Sequence, residues 1–272
     1  MATPNSIKVD KLSRLIGTPN APVIIDVRTD EDFAADPRLI PASHRRSHQT
    51  ASDWGNQYAG TSVVVVGDRG AILSEGTSAW LRQVQADASV LEGGFLAWVE
   101  AGLPLVPTSR LPQRDVSGRT LWITRSRPKI DRIACPWLIR RFIDPSAVFL
   151  FVAPQDVLAV ANQFGATAFD IENTYWSHRG ELCTFDVMIE EFGLRSDALL
   201  KLATIVRAAD TARLDLAPEA SGLLAASLGL SRMYSDDLEQ LDAGMLLYDA
   251  FYRWCRDATE ETHNWPTNKV KP

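Results

Sequence analysis

Residues 64–105 read VVVGDRGAILSEGTSAWLRQVQADASVLEGGFLAWVEAGLPL. The apolar run ends in a loop, Gly67-Asp68-Arg69-Gly70, and a helical pattern follows from about Ser74. Two glycines flanking two charged residues ahead of a helix give a backbone that can cup a small anion with its N–H groups.

Two further stretches extend this reading. IIDVRTDEDF at 24–33 resembles the motif that ends the first core strand of a rhodanese, and LEGGFLAWVEAGLPL at 91–105 resembles the closing motif of that family. The resemblance covers about the first 105 residues and implies an α/β domain with a parallel sheet. In the family the loop runs Cys-x-x-Gly-x-Arg, and its thiolate accepts sulfur as a persulfide. Here Gly67 stands in the cysteine's place, Gly70 matches the glycine, and Ile72 replaces the arginine. The motif expected next, Gly-His-Ile-Pro-Gly-Ala, is worn down to Leu39-Ile40-Pro41-Ala42-Ser43. The resemblance therefore implies a degenerate loop (Gly67, Asp68, Arg69, Gly70) that has lost sulfur transfer. It persists either as a folding partner or as a docking pocket for a small oxyanion.

The chain has 272 residues, 46% of them hydrophobic, enough for two domains with ordinary cores. No stretch approaches the ~20 uninterrupted apolar residues of a membrane span. The N-terminus, MATPNSIKVDKL, lacks a basic cluster followed by an apolar run, so a cytoplasmic location is expected. Cys135, Cys183 and Cys255 are odd in number and widely spaced, which argues against a disulfide framework. Net charge is −6, unevenly spread: residues 111–141 hold 8 basic and 2 acidic groups, while residues 142–272 hold 10 and 20. A basic island of this kind suits an anion site, a nucleic-acid contact or a surface docked on the chain's own acidic half.

VPTSRLPQRDVSG, rich in Pro, Ser and Gly, reads as a linker, so the expected domains are 1–108 and 119–272 with 109–118 between them. Beyond it LWIT (121–124) and VFLFV (148–152) predict strands, and IACPWLIRRFI between them a helix. Pro136 belongs in a first turn, which places that helix's start near Cys135. A helix at about 154–164 and a strand at 166–171 complete a small sheet. The pattern then turns helical: one amphipathic helix after a Ser196 cap, a short one over 221–230, and one after Ser235. The expected fold class is α/β, with the small α/β unit merging into a mostly helical C-terminal domain.

TRSRPKIDRIACPWLIRRFID, with HRGELCTFD, IVRAADTARLDLAPEASGLLAASLGLSR and AGMLLYDAFYRWC, resembles the chromate-resistance protein B family over about residues 119–257. That family is also labelled chromate resistance exported protein, and a rhodanese-like domain ahead of this module fits it. The resemblance implies sensing chromate or limiting its accumulation.

Read physically, Arg125, Arg127, Lys129 and Arg132 lie between a strand end and a helix start, where a tetrahedral dianion would find forked donors. Cys135, at the expected helix N-terminus, is the candidate redox or catalytic thiol. Asp131, inside the cationic group, either orients an arginine or ligates a metal. His178, Cys183 and Asp186 form a second cluster, and Asp210 lies on the apolar side of its helix, where an ionised carboxylate needs a partner: a metal shared with His178, a salt bridge to Arg207 or Arg213, or a cap for the next segment. The candidate metal ligands are thus His178, Asp210 and Cys183, with donor types that suit zinc or iron.

Two main readings stay open. One is an accessory protein that binds or senses chromate or another small oxyanion without turning it over. The other is a metal- or thiol-dependent redox enzyme acting on chromate. A chromate-responsive regulator has less support, since a pI near 5.3 disfavours nucleic-acid binding and no helix-turn-helix is evident. An active sulfurtransferase has least. Tyr248, Tyr252, Trp254 and Trp265 suit either a core or a homodimer surface.

Overall fold

The structure is a computed structural model that describes residues 5–261. Its first half is a parallel α/β unit: β1 (Ser6–Ile7), α1 (Val9–Leu15), β2 (Val23–Asp26), α2 (Asp30–Ala35), β3 (Arg38–Leu39), β4 (Ser43–Arg45), α3 (Ala51–Trp54), β5 (Ser62–Val66), α4 (Ile72–Gln83), β6 (Asp87–Leu91), α5 (Gly94–Glu100) and β7 (Val106–Pro107). Five strands pair in parallel in the order β1-β6-β5-β2-β4, with Ile24 opposite Val64 and Val64 opposite Ser89. The valine run of β5 is buried on both faces because helices cover both sides of the sheet. β3 and β7 form a small antiparallel pair.

The second half opens with β8 (Leu121–Arg125), α6 (Ile130–Leu138), β9 (Val148–Val152), α7 (Val157–Phe164) and β10 (Thr167–Ala168). These strands form a parallel sheet in the order β10-β8-β9. Alternation along β8 divides its side chains: Trp122 enters the main core, while Ile123 packs with Val157 and Ala161 of α7. Helices α8 (Thr184–Glu191), α9 (Asp197–Asp210), α10 (Ala220–Met233) and α11 (Asp237–Arg253) follow.

One apolar core runs through both halves, joining Leu12, Ile24 and Trp98 to Trp122, Trp137 and Tyr252. Trp137 sits at its centre against Phe142, Phe185, Tyr248 and Tyr252, and its indole N–H donates to Asp249 at 2.8 Å. Tyr248 and Tyr252 are therefore core residues, and Trp254 is partly buried. Trp265 lies outside the described residues. A backbone bond from Ala42 N–H to Phe142 O, 2.6 Å, ties the halves together.

Three local expectations need correction. Helix α6 begins at Ile130 rather than near Cys135, so Pro136 lies inside it. A π-helical turn over Ile139–Ile143 follows the helix directly. Helix α11 is capped by Asp236, whose carboxylate accepts from Leu238 N and Glu239 N at 2.9 Å each, and not by Ser235. The third strand of the small sheet is only Thr167–Ala168, because the chain turns at Asp170, which has φ +51°. Ser196 caps α9 as expected, accepting from Leu199 N.

Candidate metal centre

At the carboxyl ends of β8 and β10 the small sheet brings four acidic or imidazole side chains to one point, the usual place for ligands in open parallel sheets. Asp131 is the second residue of α6 and is 1% exposed. Its carboxylate accepts from Thr184 N (2.6 Å) and Phe185 N (3.3 Å), the first amides of α8. Asp210, the last residue of α9, in turn accepts from Asp131 N at 3.4 Å, near the start of α6. Two helix N-termini therefore face two carboxylates, each placing partial positive charge where negative charge is buried. Asp170 accepts from Arg125 (3.0 Å) and Thr184 Oγ1 (3.2 Å) and pairs with Arg132 at 3.3 Å. Asp is among the residues that tolerate its left-handed backbone.

His178 reaches into this ring from a loop. Its Nε2 lies 3.3 Å from Asp131 Oδ2, 3.4 Å from Asp170 Oδ1 and 3.4 Å from Asp210 Oδ2. Ligand atoms of Asp131, Asp170 and His178 all fall within 4.8 Å of one another. Those separations lie at the long end for charge-assisted hydrogen bonds. They are also compatible with a shared ion, since ligands about 2.0–2.1 Å from a tetrahedral ion stand roughly 3.3 Å apart.

Burial and the neighbouring charges shift the ionisable groups of this cluster in opposite directions. Hydrogen bonding to Asp131 and Asp170 lifts the His178 imidazole to about 10, which makes it a cation at neutral pH. Burial, reinforced by the charges of Asp131 and Asp170, raises the Asp210 carboxyl to about 7. Burial also pushes the Asp170 carboxyl up, but His178, Arg125 and Arg132 outweigh it and hold the group below the ordinary carboxylate range.

The sequence candidates separate cleanly. His178 and Asp210 meet as ligand candidates, whereas Cys183 caps α8, fully buried, and is not among the grouped donors. Asp131 faces helix amides and His178 rather than an arginine. Asp186 pairs with Arg207 at 2.8 Å, and Arg213 with Asp215, so neither arginine is Asp210's partner. Arg125 and Arg132 reach the site but are engaged by Asp170. Arg127, at φ +58°, turns its guanidinium to the carbonyls of Ser231 and Tyr234 at the end of α10, while its N–H meets Asp237. Lys129 is exposed as the α6 N-cap residue. Cys135 lies in the second turn of α6, fully buried; burial and the charge of Asp131 hold its thiol well above the ordinary range. The premise of an ionised thiol at a helix N-terminus is overturned, and Cys183 is held protonated for the same reasons.

Sequence reasoning misses Asp170. The signal that could have found it is a carboxylate just past the last strand of a parallel unit, level with the end of β8.

In the first half the loop Gly67–Gly70 is packed against Gly93-Gly94, with Phe95 N donating to Gly67 O and Leu96 N to Asp68 O. Arg69 is exposed and Asp68 lies 3.7 Å from it. No helix among the described residues is long and apolar enough to cross a membrane.

Comparison with known proteins matches two separate stretches of the chain. Residues 122–255 match the family described as ChrB, C-terminal domain, and residues 8–101 match the rhodanese-like domain. The chain is 35% identical over 155 residues to Protein ChrB of Cupriavidus metallidurans, covering 56% of this chain and 46% of that protein, so it spans about half the length of the relative. Among solved structures, a rhodanese-like domain protein from Staphylococcus aureus is 31% identical with a TM-score of 0.31, covering 35% of this chain and 90% of its own. A thiosulfate sulfurtransferase from Pseudomonas aeruginosa is 22% identical with a TM-score of 0.32, covering 37% of this chain and 19% of its own.

Proposed function

We propose that this chain, which joins a rhodanese-like domain to a ChrB C-terminal domain, is a chromate-resistance protein whose second half holds a divalent metal ion. The ligands are Asp131, Asp170 and His178, with Asp210 beside them. The observation that carries this reading is the position of His178 Nε2, 3.3–3.4 Å from three separate carboxylates. One imidazole among carboxylates is a donor set for zinc, iron or manganese. Three protein ligands leave a coordination position for solvent or substrate.

Charge explains why the metal comes before the oxyanion. Asp131, Asp170 and Asp210 offset Arg125, Arg132 and a protonated His178, and the arginine donors already serve Asp170, so chromate meets no net attraction here. A dication that takes the place of the His178 proton leaves the cluster net positive and makes an oxyanion a reasonable incoming ligand. The bound ion would supply a Lewis-acidic or redox-active centre. The chain's own part is to orient carboxylates through the amides of α6 and α8 and to place Arg125, half-exposed, at the rim. Thiol chemistry has little support, since Cys135 and Cys183 are buried and held protonated. The rhodanese-like half serves as a packing partner, glycine at 67 offering no nucleophile for sulfur.

Metal analysis of the purified chain, followed by calorimetric titration of chelator-treated protein with Zn²⁺, Mn²⁺ and Fe²⁺, tests this. One ion per chain is expected, with affinity at least 100-fold weaker in His178→Ala and in Asp131→Asn, which retains an acceptor for Thr184 and Phe185. An affinity unchanged by both substitutions, or no binding below millimolar metal, would refute the site. Chromate binding that appears only after metal loading would then support a site that takes its metal first and its oxyanion second.

A further inference from the structure

The basic island splits in the folded chain, and part of it has no place in the metal centre. Arg46, Arg114 and Arg119 line a cavity of about 360 Å³ between the edge strand β4 and the segment that follows α6. The volume falls in the range of small-molecule sites, roughly 300–1,000 Å³. None of its lining residues belongs to the His178 cluster.

We propose that this cavity binds an organic oxyanion, a carboxylate or phosphate monoester on a small apolar body. Among the described residues no carboxylate lies within 4.0 Å of Arg46, and its Nε is buried without a hydrogen-bond partner. Such a donor loses water and gains nothing in return unless an acceptor arrives. Two carboxylates are near, and both are spent. Asp144 accepts from Thr120 N (2.6 Å), Thr120 Oγ1 (2.7 Å) and Ser146 Oγ (2.8 Å), and pairs with Arg114 at 3.3 Å. Asp115 is bound by Arg119 at 2.9 Å. Counting Arg46, Arg114 and Arg119 against Asp115 and Asp144 leaves the cavity one positive charge.

His44 at the wall adds no charge. Burial and the neighbouring Arg46 and Arg114 keep its ring neutral, and its Nε2 lies 2.9 Å from Tyr58 Oη. The rest of the lining calls for an apolar body: Val23, Ala42, Ile143 and Pro145 face the cavity with the Tyr58 ring. Arginine forks suit planar or tetrahedral oxyanions, and the apolar wall selects a ligand larger than an inorganic ion.

Titration of the full chain at low ionic strength with phenyl phosphate, benzoate and inorganic phosphate tests the assignment. At least one of the two organic anions should bind at one per chain, at least tenfold more tightly than inorganic phosphate. Arg46→Met should weaken it at least tenfold, and Arg46→Lys by less. If Arg46→Met does not fold, Arg119→Met, at an exposed position, should still weaken binding at least threefold. No saturable binding of either organic anion overturns the proposal. So does affinity unchanged in a folded Arg46→Met protein, or inorganic phosphate binding as tightly as the organic anions.

Discussion

Gly67 and Gly70 look alike in the sequence, but only one of them is required by the backbone. Gly70 has φ +66°, and a Cβ there would meet Leu91 O at 2.5 Å and Gly94 N at 2.8 Å, atoms that cannot step aside. Gly70→Ala should cost about 2–4 kcal/mol through strain and clash together, measurable by urea unfolding. At Gly67 a Cβ would meet only Ser74, its Oγ at 3.1 Å. Gly67→Cys should therefore fold with stability within about 1 kcal/mol of the parent and still fail to transfer sulfur from thiosulfate, because Ile72 occupies the arginine position. Transfer by that variant would show that only the nucleophile had been lost. Asp210 makes the opposite kind of residue-scale case. Its carboxyl, raised to about 7, is ionised at pH 8 against the grain of its surroundings. In chelator-treated protein Asp210→Asn should raise stability at pH 8 by about 1–3 kcal/mol, while reducing the stabilisation gained on adding metal. A loss of stability in the metal-free variant would identify Asp210 as an ion-pair partner of His178 rather than a carboxylate held ready for an ion.

Elements are legible where a periodic pattern is long, and their ends are not. The strands at 121–124 and 148–152 and the Ser196-capped helix emerge close to expectation, because burial on both faces and capping are local signals. The first-turn rule for proline misplaces the start of α6, which lies at Ile130 and not near Cys135. The helix runs through Pro136 with Trp137 packed at the centre of the core, and a π-helical turn that no local rule anticipates follows it. That shift decides the fate of Cys135, moving it from an electropositive helix start into the core. At α11 the neighbouring Ser235 and Asp236 both suit a cap, and the extended backbone at Asp236 selects the second. Asp236→Ala should destabilise by about 1 kcal/mol and Ser235→Ala by a few tenths at most. Equal effects from both in thermal unfolding would remove this assignment. The site is half legible for a related reason: His178 and Asp210 are marked by scarcity and by a carboxylate on an apolar face, but their meeting depends on how α9 packs, which spacing does not encode.

At the scale of the whole molecule, one core links the two halves, so a titration in either half is read out as stability of the chain. His44 and His178 act in separate pH windows. His178, raised to about 10, contributes stability that is complete below the unfolded value near 6.5 and fades as pH rises toward 10. His44 is depressed to about 4, chiefly by burial and then by Arg46 and Arg114, so the unfolded chain takes up its proton first as pH falls. Its contribution is present above about 6.5 and is lost progressively down to 4, amounting to at most about 3 kcal/mol. Asp210 opposes it, because the folded chain binds that proton between its unfolded value and about 7 and gains stability on acidification. A simple acid titration of the parent therefore mixes two opposed slopes. The difference between the parent and His44→Gln isolates one of them: the parent should lose more stability than the variant between about pH 6.5 and 5, where most other carboxylates have not yet taken up protons. Parallel unfolding curves across that interval would mean that the His44 ring is not held neutral against Arg46 and Arg114, and that the cavity they share carries more positive charge than the folded geometry implies.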